Sequence, residues 1–403
     1  MKKSWTQDRR DFIKTGLAGI AGAAALTSGC HKEDTSKSAS NKQTYRKLGR
    51  TGLELPVVSM GAGDTDDPGL VRAALDAGIK LLATSEYYGD GNNERMLGKI
   101  IKERDRDSVI IMTSALPAGT DHKNGVFTKA ARKKPYLAKF DNNLKRLGVE
   151  YLDIAILPFV AKRESVFYEP LLEAMAEVKK QGKARFVGVA THSWEPEAIR
   201  AAADTKVYDV VMTAYNFRRD NHKAIAEATA YAANAGLGII AMKTMAGAYW
   251  DKERSKPINS KAALKWVLQN PNIHTTVPGI TTYEQIATDM SIMEELELSD
   301  QERTDLQLSY LETSDSPYCQ QCGSCVIQCK QDLDIPTAMR AHMYAFGYRN
   351  LSHAKETLIQ AGLPSSSCRD CEDCTVDCAK GFDIRKKLHD IVRLQDVPDD
   401  FLA

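Results

Sequence analysis

From residue 57 onward, short apolar runs alternate with longer segments whose apolar positions recur every three to four residues. The short runs read as buried strands and the longer segments as amphipathic helices. Strands are expected at 57–60, 79–84, 109–113, 151–157, 185–190, 210–214, 238–243 and 275–278. Helices fit between them, for example at 68–77, 94–102, 168–181, 223–235 and 261–269. Eight β–α units of this kind predict a (β/α)8 TIM barrel, a fold of about 250 residues. An open doubly wound sheet is the alternative. It is disfavoured because no G-x-G-x-x-G follows an early strand. A barrel places its chemistry at the C-terminal ends of the strands, so the residues just after each run matter most. Beyond residue 310 the alternation stops, and 335–348 and 352–360 read as helices.

Length changes this picture only by leaving room for a second, smaller domain. The chain has 403 residues, 43% of them hydrophobic, and a net charge of +1. Nothing in that balance points to nucleic acid as a partner. The N-terminus reads as an address rather than as fold. Arg9 and Arg10 precede Phe12-Ile13-Lys14 and an apolar, small-residue stretch from 15 to 27. The stretch is too short and too rich in Gly and Ala for a stable membrane span. It resembles a twin-arginine export signal, although Asp8 stands where Ser or Thr is usual. Leu26-Thr27-Ser28-Gly29-Cys30 resembles a lipobox in which Cys30 would carry lipid, with Leu one place further from the Cys than usual. Residues 31–43 are polar and read as a tether. The expected organisation is therefore signal 1–30, linker 31–43, barrel 44–310 and a C-terminal domain 311–403. The expected location is periplasmic, with membrane attachment through Cys30.

The C-terminal domain carries the most specific pattern in the chain. Cys319, Cys322, Cys325 and Cys329 form a C-x2-C-x2-C-x3-C run, and Cys368, Cys371, Cys374 and Cys378 repeat it. Apart from Cys30, no other cysteine is present. The runs resemble those of bacterial two-cluster ferredoxins, in which the fourth Cys of each run ligates the other run's cluster. The resemblance implies two [4Fe-4S] clusters, one on Cys319, Cys322, Cys325 and Cys378, the other on Cys368, Cys371, Cys374 and Cys329. The Pro that often follows the fourth Cys is Lys330 in one run and Ala379 in the other. Structural zinc usually shows two separated C-x2-C pairs. Disulfides are the rival in an exported protein. The helices between the runs suggest an α-helical ferredoxin-like domain.

Several segments of the barrel, in order, resemble the aldo/keto reductases. They are Leu48-Gly49-Arg50-Thr51-Gly52-Leu53, Ser85-Glu86-Tyr87-Tyr88-Gly89-Asp90-Gly91, Leu144 through Asp153, Gly188-Val189, Tyr215-Asn216 and Val277-Pro278-Gly279. The resemblance covers about residues 45 to 298. It implies reduction of a carbonyl by a Tyr whose pKa is lowered by a Lys, with an Asp holding the Lys and a His orienting the substrate. Carried over by position, the Tyr is Tyr88. The Asp, Lys and His positions hold Ala83, Ser114 and Pro158. A Tyr has a pKa near ~10 and is a poor acid at neutral pH without a neighbouring cation.

The nicotinamide contacts are eroded as well. The fifth-strand Ser-Asn pair reads Ala190-Thr191, and the sixth-strand Gln reads Met212. Thr281, Thr282 and Gln285 remain from the phosphate-binding stretch, with Tyr215 and Asn216 as further cofactor candidates. NADP(H) is therefore doubtful. The catalytic candidates are Tyr88, His192 and Lys243, the last able to supply the missing positive charge. Arg218 and Arg219 could bind an acidic substrate but read rather as a solvated loop, and His342, His353 and His389 read as structural. Together these readings describe an exported iron–sulfur oxidoreductase acting on a small carbonyl, alcohol or sugar-like substrate, with a redox partner protein. The alternative is a non-catalytic barrel used for docking, its clusters serving electron transfer. A conventional NADPH reductase is opposed by Ala83, Ser114 and Pro158.

Overall fold

A computed structural model describes residues 44–402, apart from 252, 312–317, 370, 372 and 373. Arg9, Arg10, Cys30 and the tether lie outside the described residues. The central sheet is parallel and eight-stranded. In spatial order its strands are Thr275–Thr276 (β12), Gly238–Met242 (β11), Val210–Ala214 (β10), Ala184–Thr191 (β9), Leu152–Leu157 (β8), Ile110–Ser114 (β5), Leu81–Ser85 (β4) and Met60–Gly61 (β3). The ends meet. Ser59 N–H donates to the Thr276 carbonyl at 2.8 Å, and Gly61 N–H to that of Pro278 at 2.8 Å. The sheet is thus a closed barrel, as the strand pattern predicts, and has no open edge.

Side chains alternate strictly across the wall. Ile154 and Ile156 face the barrel interior with Met112, Val210 and Ile240. Ala155, Leu157, Val211 and Ile239 face outward to the helices. Both faces are covered, which is why the strands read as continuous apolar runs rather than as alternating ones. A hairpin of Tyr45–Lys47 (β1) and Glu54–Pro56 (β2) closes the bottom, placing Leu48 and Leu55 inside the barrel, fully buried.

Most expected strand boundaries move by one or two residues. The larger change is at the first strand, where 57–60 becomes Met60–Gly61, with Val58 joined to Thr276 by an isolated bridge. The helices after the strands follow expectation, for example Glu169–Lys180 and Ser260–Leu268. A small hairpin, Thr120–Asp121 (β6) with Val126–Phe127 (β7), has no counterpart in the sequence reading because each strand has only two residues.

The C-terminal segment forms three helices of eight or more residues among the described residues: Ile335–Phe346, Leu351–Gln360 and Ile384–Val392. Asp334, Asn350 and Asp383 cap their N-termini, each side chain accepting from a backbone N–H. They share a core of their own, including Ile335, Met339, Leu358, Leu388 and Ile391. They lie across the C-terminal mouth of the barrel. The Tyr348 hydroxyl accepts from Gly247 N–H at 3.2 Å, Asn350 donates to Asp64 at 3.1 Å, and Glu356 accepts from Gly89 N–H at 3.0 Å. The approach is close enough at Gly347 that a Cβ would stand 2.7 Å from the Gly247 carbonyl oxygen.

Candidate active site

The barrel mouth and the helices above it enclose a cavity of about 1010 Å³. Tyr88, His192 and Lys243, from three separate strand ends, all line it, as do Ala83, Ser114 and Pro158. Tyr88 lies over Gly63, where a Cβ would stand 2.5 Å from the ring. It packs edge-on against Tyr87, with 4.9 Å between centroids. Burial, then the neighbouring Tyr87, Tyr344 and Asp64, push the Tyr88 phenol well above its usual range. Among the described residues no cation is recorded beside the Tyr88 phenol. Ser114 instead donates to Ser85 Oγ at 2.6 Å, so the space is a neutral hydroxyl network.

The cation comes from elsewhere. Lys243 ends its strand with φ +58, a left-handed conformation costly for a side chain with a Cβ. Its Nζ donates to the Tyr344 hydroxyl at 2.5 Å and lies 4.2 Å from that ring's centroid. Tyr344 belongs to the C-terminal helix Ile335–Phe346 and is buried. The same helix sends Arg340 into the cavity, stacked over Phe159 at 5.5 Å. His192 is held neutral by burial first, then by the charges of Arg340 and Lys243. His353, read from sequence as structural, lines the same cavity. Burial, then Lys243 and Arg340, hold its pKa far down. His122 packs edge-on against Phe159 at 4.5 Å, and burial and Arg340 lower it to about 3.

The candidate cofactor residues separate into two groups. Thr281 and Gln285 line the far end of the cavity with Arg254 and Asp289. The helix Tyr283–Ser291 begins in a capping box, in which Gln285 Oε1 accepts from both Thr281 N–H at 2.7 Å and Thr282 N–H at 3.1 Å. The amides that would hold a phosphate are therefore occupied by the chain itself. Asp289 is 2% exposed, and burial raises its carboxyl to about 7. Tyr215 and Asn216 do not line the cavity. Tyr215 stacks on Trp266 at 5.2 Å, and Asn216 donates to the Lys243 carbonyl and to Tyr318 Oη, each at 2.8 Å. Arg218 and Arg219 are buried rather than solvated. Arg218 lies 4.1 Å from the Trp250 ring centroid, and Arg219 pairs with Glu195 and donates to the Gln320 carbonyl.

The eight cysteines of the two runs are free thiols and fall into two neighbourhoods. The Cys319 thiol is raised to about 11 by burial and by Cys322 and Cys378. Cys325 is raised to about 12 by burial and by Cys319, Cys322 and Cys378. The Cys368 thiol is raised to about 11 by burial and by Cys371, Cys329 and Cys374. Gln328 stitches the runs together, donating to the Asp377 carbonyl at 3.2 Å and accepting from Asp377 N–H at 2.7 Å. Among the described residues no His, Cys, Asp or Glu group is tight enough for a single metal ion. A small cavity joins Cys319 to the mouth, lined also by His192, Lys243, Tyr318 and Arg340.

The sequence pattern of the aldo/keto reductase family matches residues 64–262. Aldo-keto reductase YhdN of Bacillus subtilis is 33% identical over 176 residues, covering 40% of this chain and 50% of that protein. L-glyceraldehyde 3-phosphate reductase of Escherichia coli is 32% identical over 166 residues, covering 38% and 46%. The chain thus spans about half the length of the curated relatives it matches. An aldo-keto reductase from Klebsiella pneumoniae, solved in complex with NADPH, shares the fold with a TM-score of 0.53 and 20% identity, covering 66% of this chain and 95% of that one. Ala83, Ser114 and Pro158, at the positions where the sequence resemblance places Asp, Lys and His, all line the mouth.

Proposed function

We propose that the protein is an exported iron–sulfur oxidoreductase whose reductase domain binds a small carbonyl or alcohol at its mouth. The observation that carries this reading is the sorting of the thiols: each neighbourhood joins three cysteines of one run to the fourth of the other. That is the crossed arrangement of two-cluster ferredoxins. Buried thiols that raise one another's pKa suit a cationic iron core, which would hold them as thiolates. When bound, the clusters would pass electrons one at a time between a redox partner and the mouth, Cys319 being the ligand nearest the substrate cavity.

Converting a carbonyl to an alcohol takes two electrons and two protons. The residues suited to the proton work are Tyr344 and Lys243, because here a phenol sits directly against an ammonium. Tyr88 and His192 are placed to hold the substrate oxygen, the first as a donor with a firmly held proton. The small-carbonyl substrate of the Escherichia coli relative favours this class. The nicotinamide route is disfavoured by the occupied amides of Thr281 and Thr282 and by the Asp289 carboxyl beside them.

Anaerobically purified protein should contain about eight irons and eight sulfides. Bound zinc without broad visible absorbance would sink the reading. For export, replacing Arg9 and Arg10 together by Lys should leave the precursor uncleaved in the cytoplasm. Unchanged processing would remove the twin-arginine assignment, and a soluble periplasmic product would remove only the lipid on Cys30.

A further inference from the structure

The mouth holds two cations, half-buried Lys243 and buried Arg340, that no carboxylate meets in an ion pair among the described residues. Both line the cavity beneath the C-terminal helices. Arg340 is 8% exposed. Among the described residues its only hydrogen bond is a long one, from Nη2 to Thr337 Oγ1 at 3.4 Å. Lys243 spends one of its three donors on Tyr344. A guanidinium buried in this way is costly unless an opposite charge joins it, and Lys243 beside it adds to that cost. The nearby histidines cannot supply one, since an imidazole is at most a cation, and burial with the two cations keeps His192 and His353 neutral. The carboxylates that feel them are Asp64, on the Lys243 side, and Asp334, whose side chain caps its own helix at Thr337 N–H.

We propose that Lys243 and Arg340 form an anion subsite and that the substrate is a small hydroxy or oxo acid, its carboxylate held between them. This deepens the proposed function, resting on the mouth being the substrate site. A guanidinium offers a carboxylate two parallel N–H donors, and its stacking on Phe159 fixes the plane of that fork. Lys243, which lines the same cavity, keeps two further donors. With its carboxylate anchored there, the substrate would present its carbinol or carbonyl carbon to Tyr344, Tyr88 and His192. The cavity volume, about 1010 Å³, admits a six-carbon acid with ease. Arg340 and Tyr344 come from one helix, four residues apart and so on one face. Anion binding and proton chemistry would then both depend on the C-terminal segment being docked.

The test uses the whole purified protein and two matched probes, gluconate and sorbitol, which differ only in carboxylate against hydroxymethyl. Calorimetric titration at constant ionic strength should show gluconate binding at least tenfold more tightly than sorbitol. Arg340→Met and Lys243→Met should each remove that preference, and Arg340→Lys should retain part of it. Equal affinity for the two probes would overturn the proposal, as would an unchanged preference in either Met variant with an unaltered unfolding midpoint. Should Arg340→Met fail to fold, Lys243→Met carries the test alone, since its side chain ends a barrel strand. Protein that lacks iron yet prefers gluconate would keep the anion subsite and discard the electron-transfer reading. Iron-loaded protein without the preference would do the reverse.

Discussion

Replacing Cys329 by Ala is expected to halve the iron content and to empty the site of the second run, not that of its own. Cys329 raises the thiol of Cys368, with Cys371 and Cys374, whereas Cys319 feels Cys322 and Cys378. A pair of double variants makes the pairing visible without assigning spectra. Cys329→Ala with Cys371→Ala removes two ligands of one site, so iron should stay at about four per chain. Cys329→Ala with Cys322→Ala damages both sites, and iron should fall towards zero. Groups acting through one unit are non-additive, and groups in separate units add. The opposite pattern would show that each run holds its own cluster. Loss of all iron in the single variant would show instead that the two sites assemble only together. The two runs are also tied by Gln328 to Asp377 and Thr375, contacts that Cys329→Ala leaves in place.

The barrel was legible because strands covered on both faces leave uninterrupted apolar runs, and eight of them leave few other topologies. The seventh-strand Lys was legible too, since strand ends are where barrel chemistry sits. Its partner was not. Tyr344 is 101 residues further along the chain, on a helix whose apolar face looks like ordinary core. Arg340 is hidden in the same way. His353 follows an Asn cap and reads as a helix-start residue, yet packs 4.1 Å from the Tyr344 ring and 5.2 Å from that of Tyr88. Tyr215 misleads in the other direction. It ends the right strand, but its ring turns outward to Trp266, a choice set by packing between strand and helix that sequence order does not encode. Arg218 and Arg219 read as a solvated loop because adjacent arginines usually are. The C-terminal segment buries them, through Gln320, which accepts from Arg219 at its carbonyl and donates to the Arg218 carbonyl.

Incubated with NADPH and simple aldehydes, the protein is expected to show negligible turnover. General acid catalysis by a tuned group contributes typically ~10²–10⁴-fold, and the family's Tyr is tuned by an adjacent Lys. Here the family position holds Ser114, bonded to Ser85, and burial pushes the Tyr88 phenol further from neutrality rather than towards it. The cofactor faces a second obstacle. Gln285 already occupies the amides of Thr281 and Thr282, and Asp289, with a carboxyl near 7, is ionised in growing fraction as the pH rises through neutrality. A nucleotide phosphate at this end would have to displace the first and approach the second. Arg254, stacked on Tyr249, is the cation on that wall, so weak nucleotide binding alone would not revive the conventional reading. Turnover must be measured. Robust NADPH oxidation by aldehydes, abolished in Tyr88→Phe and retained in Tyr344→Phe, would return this site to the family's usual chemistry. The reverse dependence in a cluster-driven assay, with loss in Tyr344→Phe and Lys243→Met, would place the proton donor on the C-terminal helix. The two tyrosines compete for one role, and only Tyr344 has a cation against its hydroxyl.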